Sequence, residues 1–219
     1  FEKDINFLRA IAVISVILFH SSFFSNGYLG VDIFFVISGY VITKVLTKDF
    51  VNKKFSLSKF YVRRIKRLYP ALILMIFISY FLYLFFGIIN PSDFNEISKT
   101  AITGLLGLSN LYFLLRDQNY FIEDDNNFFL HLWSLGVEEQ YYFLYPIFLF
   151  LVLRYLKNIN QILLLFSFTI LTLFFIRTID YKLLNNFFSP FFRFNELFLG
   201  CLAFFIKSKI KIKFEFFNS

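Results

Sequence analysis

The sequence predicts an all-α, polytopic transmembrane helix bundle of about six spans, with an amphipathic cytoplasmic helix and an outer interfacial or re-entrant segment. Three observations carry this expectation. Hydrophobic residues make up 58% of the 219 residues and charged residues only 17%. Phe alone occurs 37 times, and mean hydropathy is +0.65. A soluble fold cannot bury so much apolar surface and still cover itself with polar groups. Finally, the charges sit in clusters between apolar runs, as membrane topology requires.

The expected spans are 5–24, 30–46, 68–89, 132–153, 160–177 and 190–206. Several are short for a span of about 20 residues, so tilt or local thinning of the bilayer is expected. Ser56 to Arg67 is basic, with Phe60, Tyr61 and Ile65 interleaved, which suits an amphipathic helix at the inner headgroup level. Pro70 stands at an expected first helical position of the third span, and Pro91 marks a break after it. Thr100 to Leu115 is apolar but interrupted by Ser109 and Asn110, and reads as an interfacial or re-entrant helix on the outer face. No internal repeat is visible, and residues 1–219 form one membrane domain, expected to be incomplete.

Charge sets the orientation. With the N-terminus in the cytoplasm, the second connection is an inner one and carries Lys44, Lys48, Lys53, Lys54, Lys59, Arg63, Arg64, Lys66 and Arg67. Arg154 and Lys157 follow the fourth span, and Lys207, Lys209, Lys211 and Lys213 follow the sixth. The outer connections hold fewer cations and the acidic Asp93, Glu96, Asp117, Glu123, Asp124 and Asp125. This is the positive-inside pattern. It accounts for the net charge of +7 without a nucleic-acid partner. The one cysteine, Cys201, has no disulfide partner, and no zinc-ligand spacing, Walker pattern or Gly-x-Ser-x-Gly elbow is present. The chain begins at Phe1 with no recognisable cleavage site, so trimming at the N-terminus is expected.

Three constellations could carry chemistry. Arg9 and His20 lie on the first helix, and eleven steps of 100° bring them to one face, roughly 16–17 Å apart along the axis. An ionisable pair on one stripe of a membrane helix faces protein or water, not lipid; the plainer alternative is that Arg9 snorkels to phosphates and His20 caps the outer end, and the geometry alone names no reaction. Arg64 and Arg67 share a helical face and suit a phosphate-bearing ligand, although an ordinary cluster touching anionic lipid fits them as well. Glu138 and Glu139 enter an apolar span, where burial of a charge needs a partner. Adjacent helix positions diverge by about 100°, so the two are not expected to face one partner. Ser134, Glu138 and Tyr142 share a face, expected at the depth of His20, where a carboxylate would orient the imidazole. A helix-packing network is the plainer alternative. Asp32 reads as a carboxylate at a helix start, and Arg193 and Glu196 as a mutually neutralising pair.

Read together, four blocks resemble a known family. Arg9 and His20 follow Asn-Phe-Leu. Then come Gly30-Val-Asp-Ile-Phe-Phe-Val-Ile-Ser-Gly-Tyr40, Phe60-Tyr-Val-Arg-Arg-Ile-Lys-Arg-Leu-Tyr-Pro70 and Trp133-Ser-Leu-Gly-Val-Glu-Glu-Gln-Tyr-Tyr142. Phe192-Arg-Phe-Asn-Glu-Leu-Phe-Leu-Gly200 fits a later segment. Their order and spacing resemble the acyltransferase family 3 membrane proteins of bacteria, which include lipopolysaccharide and peptidoglycan O-acetyltransferases. The resemblance implies about ten membrane helices, of which this chain shows about six. It implies acyl-CoA, usually acetyl-CoA, as a cytoplasmic donor, a cell-envelope glycan or lipid-linked saccharide as acceptor, residence in the bacterial inner membrane, and no metal. By position, Arg9 and His20 match the family's essential pair, Arg64 and Arg67 its cytoplasmic Arg-x-x-Arg, and Glu138 and Glu139 its Val-Glu-Glu-Gln block. The expected roles follow. His20 serves as general base or acyl carrier, oriented by Glu138 or Glu139; Arg9, Arg64 and Arg67 hold the donor; Asp32, Trp133, Ser134 and Tyr142 contact substrate. A transporter or flippase for an envelope sugar or lipid is the alternative, and it predicts repeated halves that the sequence lacks.

Overall fold

The computed structural model describes residues 3–85, 91–116, 120, 129–178 and 186–217. The regular structure among the described residues is all helical, with no strands: α1 (Lys3–His20), α2 (Leu29–Val51), α3 (Leu57–Phe85), α4 (Pro91–Leu105), α5 (Ser109–Leu115), α6 (Leu132–Tyr155), α7 (Ile159–Thr178) and α8 (Pro190–Phe217). Among them α2, α3 and α7 are long and apolar enough to cross a membrane, with mean hydropathies of 1.8, 2.1 and 2.2. α1, α6 and α8 stand where the other spans are expected, but each carries ionisable groups within its length: Arg9, the Glu138–Glu139 pair, and Arg193 with Glu196. α3 and α7 present rows of exposed apolar side chains, such as Ile73, Phe77 and Phe81 on one and Leu164, Phe168, Leu171 and Phe175 on the other. Such faces suit hydrocarbon, not water.

α2 is the central post. It packs most extensively on α8, with α1 and α6 alongside. α2 and α8 run in the same direction and approach at glycine. A Cβ on Gly39 would overlap the Leu197 carbonyl, and one on Gly200 would overlap the Val36 carbonyl. Small residues let membrane helices touch backbone to backbone, where dispersion contacts and not the hydrophobic effect hold them. Cys201 fits the same crossing, fully buried, its Sγ 2.9 Å from the Tyr141 hydroxyl and 3.5 Å from the Gly39 carbonyl. Thr43 and Tyr145 share a buried hydroxyl–hydroxyl bond of 2.6 Å nearby. Gly39→Val should force the two helices apart and cost about 1–3 kcal/mol, as overpacking does. A thermal melt in detergent checks this; an unchanged melting temperature would show that the crossing is looser than described.

The N-terminal part of α3 corrects an expectation. The amphipathic segment and the third span are one continuous helix with Pro70 inside it, not two helices with Pro70 at a first position. Proline in mid-helix removes one N–H···O bond, and membrane helices tolerate this where neighbouring groups re-satisfy the backbone. Continuity keeps Arg63, Arg64 and Arg67 in rigid register with the apolar remainder.

α4 and α5 form a helical hairpin. α4 runs antiparallel to α3, with the Phe94 and Tyr80 rings 6.1 Å apart at one end and the Tyr69 hydroxyl donating to the Leu105 carbonyl at 3.0 Å at the other. The chain turns at Gly107, whose φ of +69° suits glycine, and a Cβ there would stand 3.0 Å from the Glu139 Cβ. α5 then returns along α6, with Gln140 donating to the Gly107 carbonyl at 3.0 Å and to Asn110 at 2.7 Å. Ser109 and Asn110, which interrupt the apolar run, therefore mark the hairpin tip and are fully buried.

The open end of the hairpin is closed by charge. Glu96 on α4 accepts from the Tyr112 hydroxyl at 2.8 Å and from both terminal nitrogens of Arg116, with Lys99 at 3.6 Å. Burial works to raise the Glu96 carboxyl, but the bonds from Tyr112 and Arg116 and the charges of Arg116 and Lys99 outweigh it and hold the group below its ordinary value. Burial and the Glu96 bond push the Tyr112 phenol up to about 12. A carboxylate lowered in the folded state contributes stability above its unfolded value, lost as pH falls through the folded one. Amide-exchange protection of the α4–α5 hairpin should thus be full at neutral pH and decline below pH 4.5, the ordinary Glu value. In Glu96→Gln that acid-induced decline should vanish; its persistence would place the sensitivity elsewhere.

Candidate active site

A cavity of about 510 Å³ opens between α1, α2, α3 and α6. Its polar lining is Arg9 from α1, Ser38 from α2, Arg63, Arg64 and Arg67 from α3, and Glu138 with Tyr142 from α6. Val41, Ile42, Val45, Phe60 and Leu68 supply the apolar walls. Four guanidiniums line this one pocket, a concentration of positive groups that suits an anion.

Those four are not equivalent. Arg64 donates through Nε to Glu139 at 2.8 Å, stands 3.5 Å from Glu138, and lies with its guanidinium carbon 3.5 Å above the Tyr142 ring. Ser38 in turn donates to Glu138 at 2.6 Å. Arg63 pairs with Asp49 at 3.1 Å. Arg9 and Arg67 make no ion pair among the described residues. On the far side of Arg64 lies a second cavity of about 500 Å³, mostly apolar, lined by Tyr61, Ile65, Tyr69, Leu106, Gly107, Leu108, Phe143 and Leu144. The two cavities share Arg64 and Tyr142 as their common wall, with Glu138 on one side and Glu139 on the other.

Two expectations about the carboxylates are corrected. Glu138 and Glu139 do face one partner, because the forked guanidinium of Arg64 spans the angle between adjacent helix positions. They do not lie at the depth of His20. α1 runs antiparallel to α2, with Gly27 against Ser15 and Phe19 and Gly30 against Ala12 and Val16, so Ser38 falls towards the Arg9 end. Ser38 and Arg9 share the cavity with Glu138, whereas His20 is the last residue of α1, away from it. The physical reason is charge. A buried carboxylate pair is stable beside a guanidinium, and an imidazole is a weaker counter-ion. His20 itself is exposed, with its ring edge-on to Phe19 at 5.3 Å.

The remaining expected residues are placed as follows. Tyr142 is part of the cavity wall. Ser134 is half-buried and donates to the His131 carbonyl at 3.2 Å, one turn back on α6 and outside the cavity lining. Trp133 is only 1% exposed, packed against Phe35, Phe187 and Phe188, so it offers no face to a substrate. Asp32 is the partner of Arg193, at 2.7 Å. Arg193 therefore makes its close ion pair with Asp32 and not with Glu196, whose charge it feels at longer range; it reaches across to α2 and also donates to the Phe187 carbonyl at 3.2 Å, while Glu196 faces Arg177 at 4.0 Å. Asp117, Glu123, Asp124 and Asp125 lie outside the described residues. Ser38, Asp49, Gly107 and Gln140 join the site's structure without having been singled out in the sequence: Ser38 and Gln140 lie inside two of the quoted blocks, but each of the four acts through a partner distant along the chain. No group of three or more His, Cys, Asp or Glu suited to a metal occurs among the described residues.

Comparison with known proteins agrees with the four sequence blocks. The family profile of an acyltransferase domain, acyltransferase 3, matches residues 2–217. The O-acetyltransferase OatA of Staphylococcus aureus is 34% identical over 212 residues, which is 94% of this chain and 35% of that protein. The peptidoglycan O-acetyltransferase OatA of Listeria monocytogenes is 37% identical over 166 residues, 72% of this chain and 26% of that protein. The chain thus matches between about a quarter and about a third of the length of these relatives. No solved structure matches it. With nearly every residue inside the profile, and with the Arg9, Arg64, Arg67 and Glu138 blocks gathered at one cavity, the chain belongs to the acyltransferase 3 family of membrane acyltransferase domains.

Proposed function

We propose that the chain is the membrane domain of an O-acetyltransferase that takes an acetyl group from acetyl-CoA and delivers it to a hydroxyl of a cell-envelope glycan across the bacterial inner membrane. The observation that carries this is the polarity of α1: its Arg9 end lies in a cavity of guanidiniums, and its His20 end is exposed. In this reading the N-terminus is cytoplasmic, α1, α2, α3, α6, α7 and α8 are the spans, and the α4–α5 hairpin enters from the outer face. The Lys and Arg of the α2–α3 connection favour that orientation. The names of the OatA relatives favour acetyl as the acyl group and, for the Listeria protein, peptidoglycan as the acceptor.

The donor's nucleotide phosphates occupy the cationic cavity, and its extended arm carries the thioester along α1 towards His20. His20 takes the proton of the acceptor hydroxyl, whose oxygen attacks the thioester carbonyl. The C–S bond breaks, the C–O bond forms, and the leaving thiolate takes the proton held by His20, which returns the imidazole to its neutral form. Membranes containing the full-length protein, given acetyl-CoA labelled in the acetyl group, should transfer label to the glycan with release of one free thiol per acetyl. Movement of glycan without consumption of acetyl-CoA would instead establish the transporter reading.

A further inference from the structure

The donor cavity contains more guanidiniums than free positive charge. Asp49 holds Arg63. Glu138, Glu139 and the face of the Tyr142 ring hold Arg64. Only Arg9 and Arg67 are left without an ion-pair partner among the described residues, and they reach the cavity from different helices, α1 and α3. An incoming phosphate meets these two without displacing anything. To recruit Arg64 it would have to strip two carboxylates of their counter-ion and leave them partly buried, each only 20–23% exposed.

Arg64 also has a structural task that Arg67 lacks. Close backbone approach of α3 is to α4. Its N-terminal half is tied to α6 by side chains, namely Arg64 on Glu138 and Glu139 and the Tyr61 hydroxyl on the Phe143 carbonyl at 2.8 Å. Glu139 in turn backs onto Gly107 at the hairpin tip. One guanidinium thereby joins α3, α6 and the α4–α5 hairpin, and it forms the wall between the cationic cavity and the apolar one.

We infer that Arg64 is a positioning residue, clamped by Glu138 and Glu139 to set the wall of the donor cavity, while Arg9 and Arg67 alone take the donor's phosphates. This divides the Arg-x-x-Arg pair into two unlike members and rests on the donor reading above. Loss of the clamp misplaces the donor without removing its anion site, so turnover falls and affinity does not.

The test uses the full-length protein in nanodiscs, with coenzyme A as the titrated probe and acetyl-CoA as the substrate. Arg9→Gln and Arg67→Gln should each weaken coenzyme A by about tenfold or more, the effect of losing a charge-assisted bond. Arg64→Gln should leave its dissociation constant within about threefold and lower kcat by about tenfold or more. Arg64→Gln/Glu139→Gln should be no slower than Arg64→Gln, because both break the same link. Glu139→Gln, a near-isosteric change that serves if Arg64→Gln fails to assemble, should lower kcat with coenzyme A affinity unchanged. The inference is overturned if Arg64→Gln weakens coenzyme A as much as Arg67→Gln does, or if Glu139→Gln tightens it by releasing Arg64 to the phosphates. Failure of the unaltered protein to bind coenzyme A would instead remove the donor reading itself.

Discussion

His20→Ala is expected to lower acetyl transfer by about 10²–10⁴-fold, the usual contribution of a positioned general base, while the protein still inserts and folds. The structure explains why the two outcomes separate. The imidazole is exposed at the end of α1, and among the described residues its one ring contact is Phe19, so deleting it opens no cavity in the core. Neither carboxylate of α6 leans on it, since both are engaged by Arg64. The melting temperature and coenzyme A affinity should therefore match those of the unaltered protein. Single-turnover labelling adds a second reading: an acetyl group trapped on His20 would make it a carrier between the two faces and not only a base. Full transfer activity in His20→Ala would end its assignment.

Asp32→Ala is expected to be the most damaging substitution for stability. Arg193 is 3% exposed, and its guanidinium sits 4.1 Å from the Phe187 ring and 5.2 Å from the Trp133 ring, with Asp32 as its anionic contact at 2.7 Å. Removing that carboxylate orphans a buried charge, which costs about 3–5 kcal/mol where one partner of a buried pair is deleted. Asp32→Leu combined with Arg193→Met should recover most of the loss, because replacing both members by apolar groups also removes the desolvation penalty. Thermal melts of the single and double variants decide this. A single variant that melts with the unaltered protein would mean that Glu196 or water satisfies Arg193 in the membrane.

Most helices were legible because they follow from local properties, although α3 was drawn as two pieces and α4 with α5 as one interrupted segment. Apolar runs of sufficient length specify α2, α3 and α7, and Ser109 with Asn110 betray the break between α4 and α5. What was not legible is depth, the relative sliding of one helix against another. That register is set by close approaches at Gly27, Gly30, Gly39 and Gly200, whose neighbours lie elsewhere in the chain. Consequently the expectation that Glu138 stands level with His20 failed, although both residues belong to helices drawn in the right places. The same limit applies to partners. An i, i+3 spacing put Arg193 with Glu196, but the nearer oxygen belongs to Asp32, on another helix. Likewise, nothing local distinguishes Arg64 from Arg67; the difference arises only once α6 is laid beside α3.

The sealed position of Cys201 has a practical corollary. It is the chain's single thiol, closed behind the Tyr141 hydroxyl and the Gly39 backbone in the α2–α8 crossing. A bulky, membrane-impermeant maleimide has no way to reach it while the bundle is intact. Reporter cysteines introduced at Lys53 and at Phe23, both exposed and on the two connections that flank α2, can thus be tagged against a silent background, and the proposed topology expects them to react from opposite sides of a vesicle.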